Sequence, residues 1–222
     1  MENSYSLSHK PPTILLLLST NLMVMMINIP MITSTRPVGE HDTNTQFVKT
    51  SCGATSYPDL CFTTLSCHAS QIKRSPKLLA TAALSETLKT VRSASTAMSK
   101  LSKAKTRHGL TPRDAEALSD CVEELRDSVE ELQRSIEEMG VGFRKKENNG
   151  TSEFGLRMSD IETWVSAALT DEDTCVDGFS EKFMNGSSGS AIKSNVRGHI
   201  MNVAHMTRNA LALVNHYALL HS

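Results

Sequence analysis

Aromatic side chains are scarce: three Tyr, one Trp and six Phe make up 5% of the 222 residues. An all-β sandwich or barrel draws on aromatic and β-branched strands, so packing here must run through Leu, Ala, Val and Met. Excess charge of either sign is also missing, the formal net charge being −1. A nucleic-acid binder carries a basic footprint, and none exists in bulk. Beyond residue 32 there is no long apolar run, which disfavours a later membrane span. What remains is 39% hydrophobic and 21% charged, enough for one packed core and against wholesale disorder. The class expected is all-α.

The one extended apolar stretch stands at the start. His9 and Lys10 precede a run from Ile14 to Ile32, interrupted by Asn21, Asn28 and Pro30, and small residues Thr33, Ser34 and Thr35 follow. That order describes a secretory signal peptide over residues 1–35. A membrane anchor would need about 20 uninterrupted apolar residues. The protein is therefore expected to be secreted, with no membrane contact after signal removal. Two glycosylation acceptors agree with export, Asn149-Gly150-Thr151 and Asn185-Gly186-Ser187, both in polar stretches suited to surface loops.

Residues 36–46 are polar without apolar periodicity, and a flexible arm is expected there. From 47 to 74 a cysteine-bearing segment contains the turn signal Tyr57-Pro58-Asp59 and reads as a helical hairpin. Ser75-Pro76 opens helix one, a cap followed by a proline tolerated in the first turn. Its Leu84, Leu88, Val91, Met98 and Leu101 share a face, and it ends near His108-Gly109. Thr111-Pro112 opens helix two, where Leu118, Val122, Leu125, Val129, Leu132, Ile136 and Met139 form one apolar stripe. Gly140 and Gly142 stop it, and a polar loop spans 142–157. Helix three is expected from Ser159 to Phe179, burying Ile161, Trp164, Val165, Ala168 and Leu169. Helix four runs through Ile192, Val196, His199, Val203, Met206, Ala210, Leu213, Tyr217 and Leu220. No such helix is stable alone in water, so residues 75–221 are expected to form an antiparallel four-helix bundle.

Five cysteines, Cys52, Cys61, Cys67, Cys121 and Cys175, leave one over in an exported protein. A short bridge between Cys52 and Cys61 could fix the hairpin. One between Cys121 and Cys175 would clip helices two and three and close a loop of 54 positions, worth roughly 4 kcal/mol. Cys67 then stays a buried free thiol, or pairs differently or between chains. Metal-ligand spacings such as Cys-x2-Cys are absent, so no zinc is expected. Phosphate loops, GxSxG elbows and His-Glu-x-x-His sites are absent too. Exposed carboxylates make poor general acids. The chain reads as a non-enzyme without catalytic residue, metal or cofactor.

Charge is sorted along the chain. Residues 71–108 hold nine Lys/Arg against one Glu, 113–139 ten acids against three Arg, and 158–177 six acids with no Lys or Arg. Either these are solvated faces that neighbouring helices partly neutralise, or the acidic helices make a docking surface. Glu123, Asp127 and Glu130 lie at i, i+4 and i+7 off the apolar stripe, and Thr174 and Asp177 flank Cys175. Joined at Cys121 and Cys175, these strips would lie side by side. A patch of one sign steers a complementary partner, and salt weakens it.

The segments CGATSYPDLC (52–61), LSDCVEELRDSVEELQRSI (118–136), DIETWVSAALTDEDTCVDGF (160–179) and TRNALALVN (207–215) together resemble the plant invertase and pectin methylesterase inhibitor family, over about 47 to 221. The resemblance implies a four-helix bundle with an amino-terminal hairpin, bridged between Cys52 and Cys61 and between Cys121 and Cys175. It also implies an inhibitor of the apoplast and cell wall. In family members that inhibit pectin methylesterase, helices two and three block the substrate cleft of the enzyme, and a one-to-one complex is expected. Carried over by position, the contacts fall on Glu123, Asp127, Glu130, Thr174 and Asp177, with Glu130 where a shorter Asp is familiar. The invertase-inhibiting branch uses a Pro-Lys-Phe stretch between helices two and three. Residues 141–158 contain no proline, and Glu181-Lys182-Phe183 lies in the wrong loop. Pectin methylesterase is the expected partner; acid invertase, or a non-inhibitory apoplastic binding module, is the alternative. The fold also precedes catalytic domains in some pectin methylesterases, but this chain ends two residues after Leu220, so none is expected.

Overall fold

Helix-starting chemistry sits at the head of the long segments, and it decides where they begin. The structure, a computed structural model, describes residues 40–103, 111–141, 153–179 and 190–221. In chain order these form α1 (Glu40–Cys52), α2 (Pro58–Leu65), a 3-10 turn (Ser66–His68), α3 (Ala69–Ile72), α4 (Pro76–Lys103), α5 (Pro112–Gly140), α6 (Glu153–Gly178) and α7 (Ser190–Leu219). Helices one to four of the sequence are α4 to α7. At the head of α5, Thr111 Oγ1 accepts from the Asp114 N–H at 3.2 Å, and Asp114 Oδ2 accepts from the Thr111 N–H at 3.0 Å. This reciprocal cap satisfies two amides that the helix itself leaves unpaired. Asp114 also meets Lys193 Nζ at 2.9 Å, both side chains being buried. Burial would raise the Asp114 pKa, but the bonds from Lys193 and Thr111 outweigh it and hold the carboxyl below its usual value. One ion pair thereby ties the start of α5 to the start of α7.

The long helices form the antiparallel four-helix bundle, with α1 to α3 as an amino-terminal hairpin. α5 packs most extensively on α6, while α4 lies against α5 and α7, and α7 closes the ring on α6. α4 is thus diagonal to α6, and α5 to α7. The core draws Leu79, Leu84 and Val91 from α4, Leu118, Leu125 and Leu132 from α5, Ile161 and Val165 from α6, and Ile200 and Val203 from α7. Among the described residues no helix is long and apolar enough to cross a membrane. No cluster of His, Cys, Asp and Glu able to hold a metal occurs among them either.

The hairpin is held in two ways. Cys52 and Cys61 form a disulfide around its turn. In addition, buried Asn209 of α7 accepts from the Tyr57 N–H and donates to the Tyr57 carbonyl, both at 2.9 Å. The Tyr57 ring stacks on His205 at 3.7 Å. An Asn209→Ala substitution leaves the part-buried Tyr57 N–H without a partner and its carbonyl with the Cys61 N–H alone. The expected cost is about 2 kcal/mol, read by chemical denaturation, with faster amide exchange confined to residues 52–65.

Several sequence expectations are corrected. Residues 40–46, assigned to a flexible arm, are the first turns of α1, and Asn44 there is buried. α1 packs on α2 and α3, so tertiary burial supplies what weak periodicity does not announce. α6 starts at Glu153 rather than Ser159. Arg157 bonds Glu153 at 2.8 Å one turn back and reaches Glu138 of α5 at 3.3 Å, which extends the helix into the expected loop. Trp164, Leu169, Val129 and Ile136 are only half-buried, whereas Ser128 and Ser135 are fully enclosed. His199 and Leu220 are exposed, and Ile200 takes the core position instead. Cys67 is unpaired, but exposed rather than buried. The signal segment, the end of helix one near His108 and both acceptors, Asn149 and Asn185, lie outside the described residues.

Candidate partner-binding face

Small side chains allow α5 and α6 to approach closely. Cys121, Ser128 and Ser135 recur every seven residues on α5, and Ala168 and Cys175 do so on α6, all buried. The Cys121–Cys175 disulfide joins them with a Cα–Cα separation of 4.6 Å. Ser128 Oγ donates to Glu172 Oε1 at 2.8 Å across the same seam.

All five residues assigned from the sequence, Glu123, Asp127, Glu130, Thr174 and Asp177, are exposed. Their directions differ. At about 100° per residue, Asp127 and Thr174 stand beside the disulfide seam. Glu123, Glu130 and Asp177 point further outward, roughly 160–180° from the cysteine of their helix. Glu130 also lies 3.6 Å from Arg134 of its own helix, a contact between exposed groups that is worth little. Along α6 the exposed hydroxyls of Thr163, Ser166, Thr170 and Thr174 each donate to the carbonyl four residues back, at 2.6 to 3.0 Å. Their hydrogens are committed internally, so this edge offers a partner acceptors rather than donors.

Between the two strips lie carboxyls that the sequence reading passed over. Glu131 of α5 and Asp171 of α6 lie near each other across the seam, and Glu131 Oε2 and Asp171 Oδ2 are both buried without a hydrogen-bond partner. Burial, then the charge of Asp171, pushes Glu131 up to about 7. Burial, then Glu124 and Asp127, pushes Asp171 up to about 6. Two neighbouring carboxyls cannot both ionise cheaply, so each makes the other harder to deprotonate. Deeper still, Glu172 is wholly enclosed and accepts from Ser128 alone, and burial raises it to about 8. The face therefore presents a negative, acceptor-rich rim over a partly protonated seam.

This geometry has relatives. A family model described as plant invertase/pectin methylesterase inhibitor matches residues 46–213. The chain belongs to this family. It is similar to the 21 kDa protein of Daucus carota, 46% identical over 176 residues that cover 79% of this chain and 86% of that one. Pectinesterase inhibitor 9 of Arabidopsis thaliana is 37% identical over 201 residues, covering 90% and 94% of the two chains. The crystal structure of mutant form A of a pectin methylesterase inhibitor from Arabidopsis superposes with a TM-score of 0.55 at 21% identity. That match covers 76% of this chain and 95% of the other, and shows the shared fold.

Within this inhibitor-family bundle, a positional signal for the missed carboxyls was present. Glu124 follows Cys121 by three residues and Asp171 precedes Cys175 by four, so a bridge between those cysteines turns both toward the seam. Net charge by segment hides this, because it counts acids without asking which way they point. The hairpin adjoins the same end of α6. Arg208 of α7, one turn from the His205 that stacks on Tyr57, donates from Nη2 to both oxygens of Asp173 at 2.9 and 2.6 Å.

Proposed function

We propose that this chain is a secreted inhibitor of a plant cell-wall pectin methylesterase. The α5–α6 face covers the pectin-binding cleft of the enzyme in a one-to-one complex and so regulates pectin methylesterification. The observation that carries this reading is the exposed edge of Asp127 on α5 and Thr174 on α6 beside the Cys121–Cys175 bridge, with Glu123, Glu130 and Asp177 on the outer surfaces of the same two helices. Relatives named as pectinesterase inhibitors support the choice of enzyme. Donors and positive potential favour the binding of an anionic polysaccharide in a cleft. Carboxylates and outward hydroxyl oxygens match it, and the compact bundle offers no ester to be turned over. Each carboxylate buried in the complex must find a cationic partner there, since an unpaired one costs several kcal/mol. Export follows from the signal peptide at residues 1–35, with Asn149 and Asn185 as glycosylation acceptors.

The test titrates the mature chain against purified pectin methylesterase and, separately, acid invertase. A Glu123→Lys, Asp127→Lys double variant is expected to weaken inhibition of pectin methylesterase by at least about 30-fold. Both residues are exposed, so thermal unfolding should move by no more than about 2 °C. Unaltered inhibition would remove this strip from the interface. Inhibition of invertase alone would assign the chain to the other branch of its family.

A further inference from the structure

Charge sorted along the chain becomes charge sorted across the bundle. α4 carries Lys77, Lys89, Arg92, Lys100 and Lys103 against the single acid Glu86. α7 carries Lys193, Arg197 and Arg208 and no Asp or Glu. α5 holds ten acids against three Arg, and α6 seven acids against one. Because α4 packs on α7 and α5 on α6, the cationic helices share one half of the molecule and the anionic helices the other. α4 is diagonal to α6, so its outer face lies away from the α6 half of the inhibitory face and meets α5 only where Arg92 bonds Gln133.

On that outer face Lys89, Arg92, Thr96, Lys100 and Lys103 are all exposed and recur at three- and four-residue steps. They make one strip about 21 Å long. Lys89 touches Glu86 of its own helix at 2.6 Å, and Arg92 donates to Gln133 of α5 at 2.8 Å. Lys100 and Lys103 extend the positive charge to the last described turn. α4 has no aromatic residue, so it lacks the stacking platforms of a single-strand nucleic-acid binder. Apart from Leu78 in its first turn, its apolar face is spent in the core, so it lacks the continuous free apolar side by which an interfacial helix enters a bilayer. A straight row of exposed cations without either feature matches a linear, non-aromatic polyanion.

We infer that this strip binds a carboxylate-bearing polysaccharide, a chain of uronic acid groups, and holds the protein on the polymer with the α5–α6 face still free. The choice of polymer rests on the reading above, because removing methyl esters from pectin leaves free carboxylates beside the enzyme. Each exposed ion pair contributes little; a polymer engages several at once, and salt screens them together.

The experiment measures binding of the mature chain to polygalacturonate and to highly methylesterified pectin, alongside inhibition of pectin methylesterase. Polygalacturonate should bind at about 50 mM salt and be released by about 0.5 M, with no binding to the esterified polymer. A Lys89→Gln, Lys100→Gln, Lys103→Gln variant should bind polygalacturonate about tenfold more weakly and inhibit the enzyme on soluble substrate as before. Binding through these lysines without enzyme inhibition upholds the strip and overturns only the inhibitor reading. The inference falls if polygalacturonate does not bind, or if the variant binds it undiminished. It also falls if anionic phospholipid vesicles or RNA bind more tightly than polygalacturonate.

Discussion

Replacing both Cys121 and Cys175 by alanine is expected to cost the bundle about 4 kcal/mol, from the 54-position loop the bridge closes. For a chain of this size that lowers the midpoint of thermal unfolding by roughly 8–16 °C. The bridge acts chiefly on the unfolded chain, whose freedom it reduces, so the native helices should keep their helical circular dichroism at room temperature. Both residues are changed at once because a single replacement would leave a free thiol beside Cys67. A Cys67→Ser variant serves as control; this thiol is exposed and unpaired, and its loss should leave stability within about 0.5 kcal/mol. Inhibition by the double alanine variant is expected to weaken as well, since the two rims are set by the joined backbones. A loss below about 1 kcal/mol would mean that packing around Ser128, Ser135 and Ala168 holds the seam unaided.

Raising the pH from 5 to 8 is expected to destabilise the bundle by an amount on the order of a few kcal/mol. Three carboxyls carry this: Glu131, Asp171 and Glu172, raised to about 7, about 6 and about 8 in the folded protein. In the unfolded chain they return to ordinary values near 4.5, 3.8 and 4.5. Between those limits the folded state binds more protons than the unfolded one, so stability falls as pH rises. The full contribution is present below about pH 4, and the loss levels off about one unit above the Glu172 value, near pH 9. Glu172 dominates because it is wholly enclosed; solvent screens the half-buried pair. Glu172→Gln keeps an acceptor for Ser128 and cannot ionise. It should therefore remove more than half of the decline in unfolding midpoint between pH 5 and 8. An undiminished slope in that variant would place the titration elsewhere. As Glu131 and Asp171 ionise, the face also gains negative charge, so partner binding should become more salt-sensitive at the upper end of this range.

The four long helices were legible because burial of one stripe repeats every three or four residues, and Pro76, Pro112 and Thr111 mark two of the starts. Boundaries were less legible where a distant contact makes the helix. The first turns of α1 show no periodicity, yet Asn44 is buried there; α6 gains a turn because Arg157 can reach both Glu153 and Glu138. Residue faces drifted for a related reason. A sequence stripe gives direction only to within neighbouring positions, so it places His199 inward although Ile200 beside it is the core residue. On α5 the closest approach selects Ser128 and Ser135, not the larger Val129 and Ile136, because only short side chains fit where two backbones are bridged.

The sequence by itself determined the all-helical class, the hairpin and bundle division, and which helices are acidic or basic, since these follow from local periodicity and composition. Only the tertiary structure decided that Glu131, Asp171 and Glu172 meet inside the acidic seam, that Asn209 grips the hairpin at Tyr57, and that the basic helices α4 and α7 pair on one side of the bundle. Those are relations between residues about 40 to 150 positions apart, and no local pattern encodes them. They arise when four apolar stripes close on one another and bring along the charges they carry.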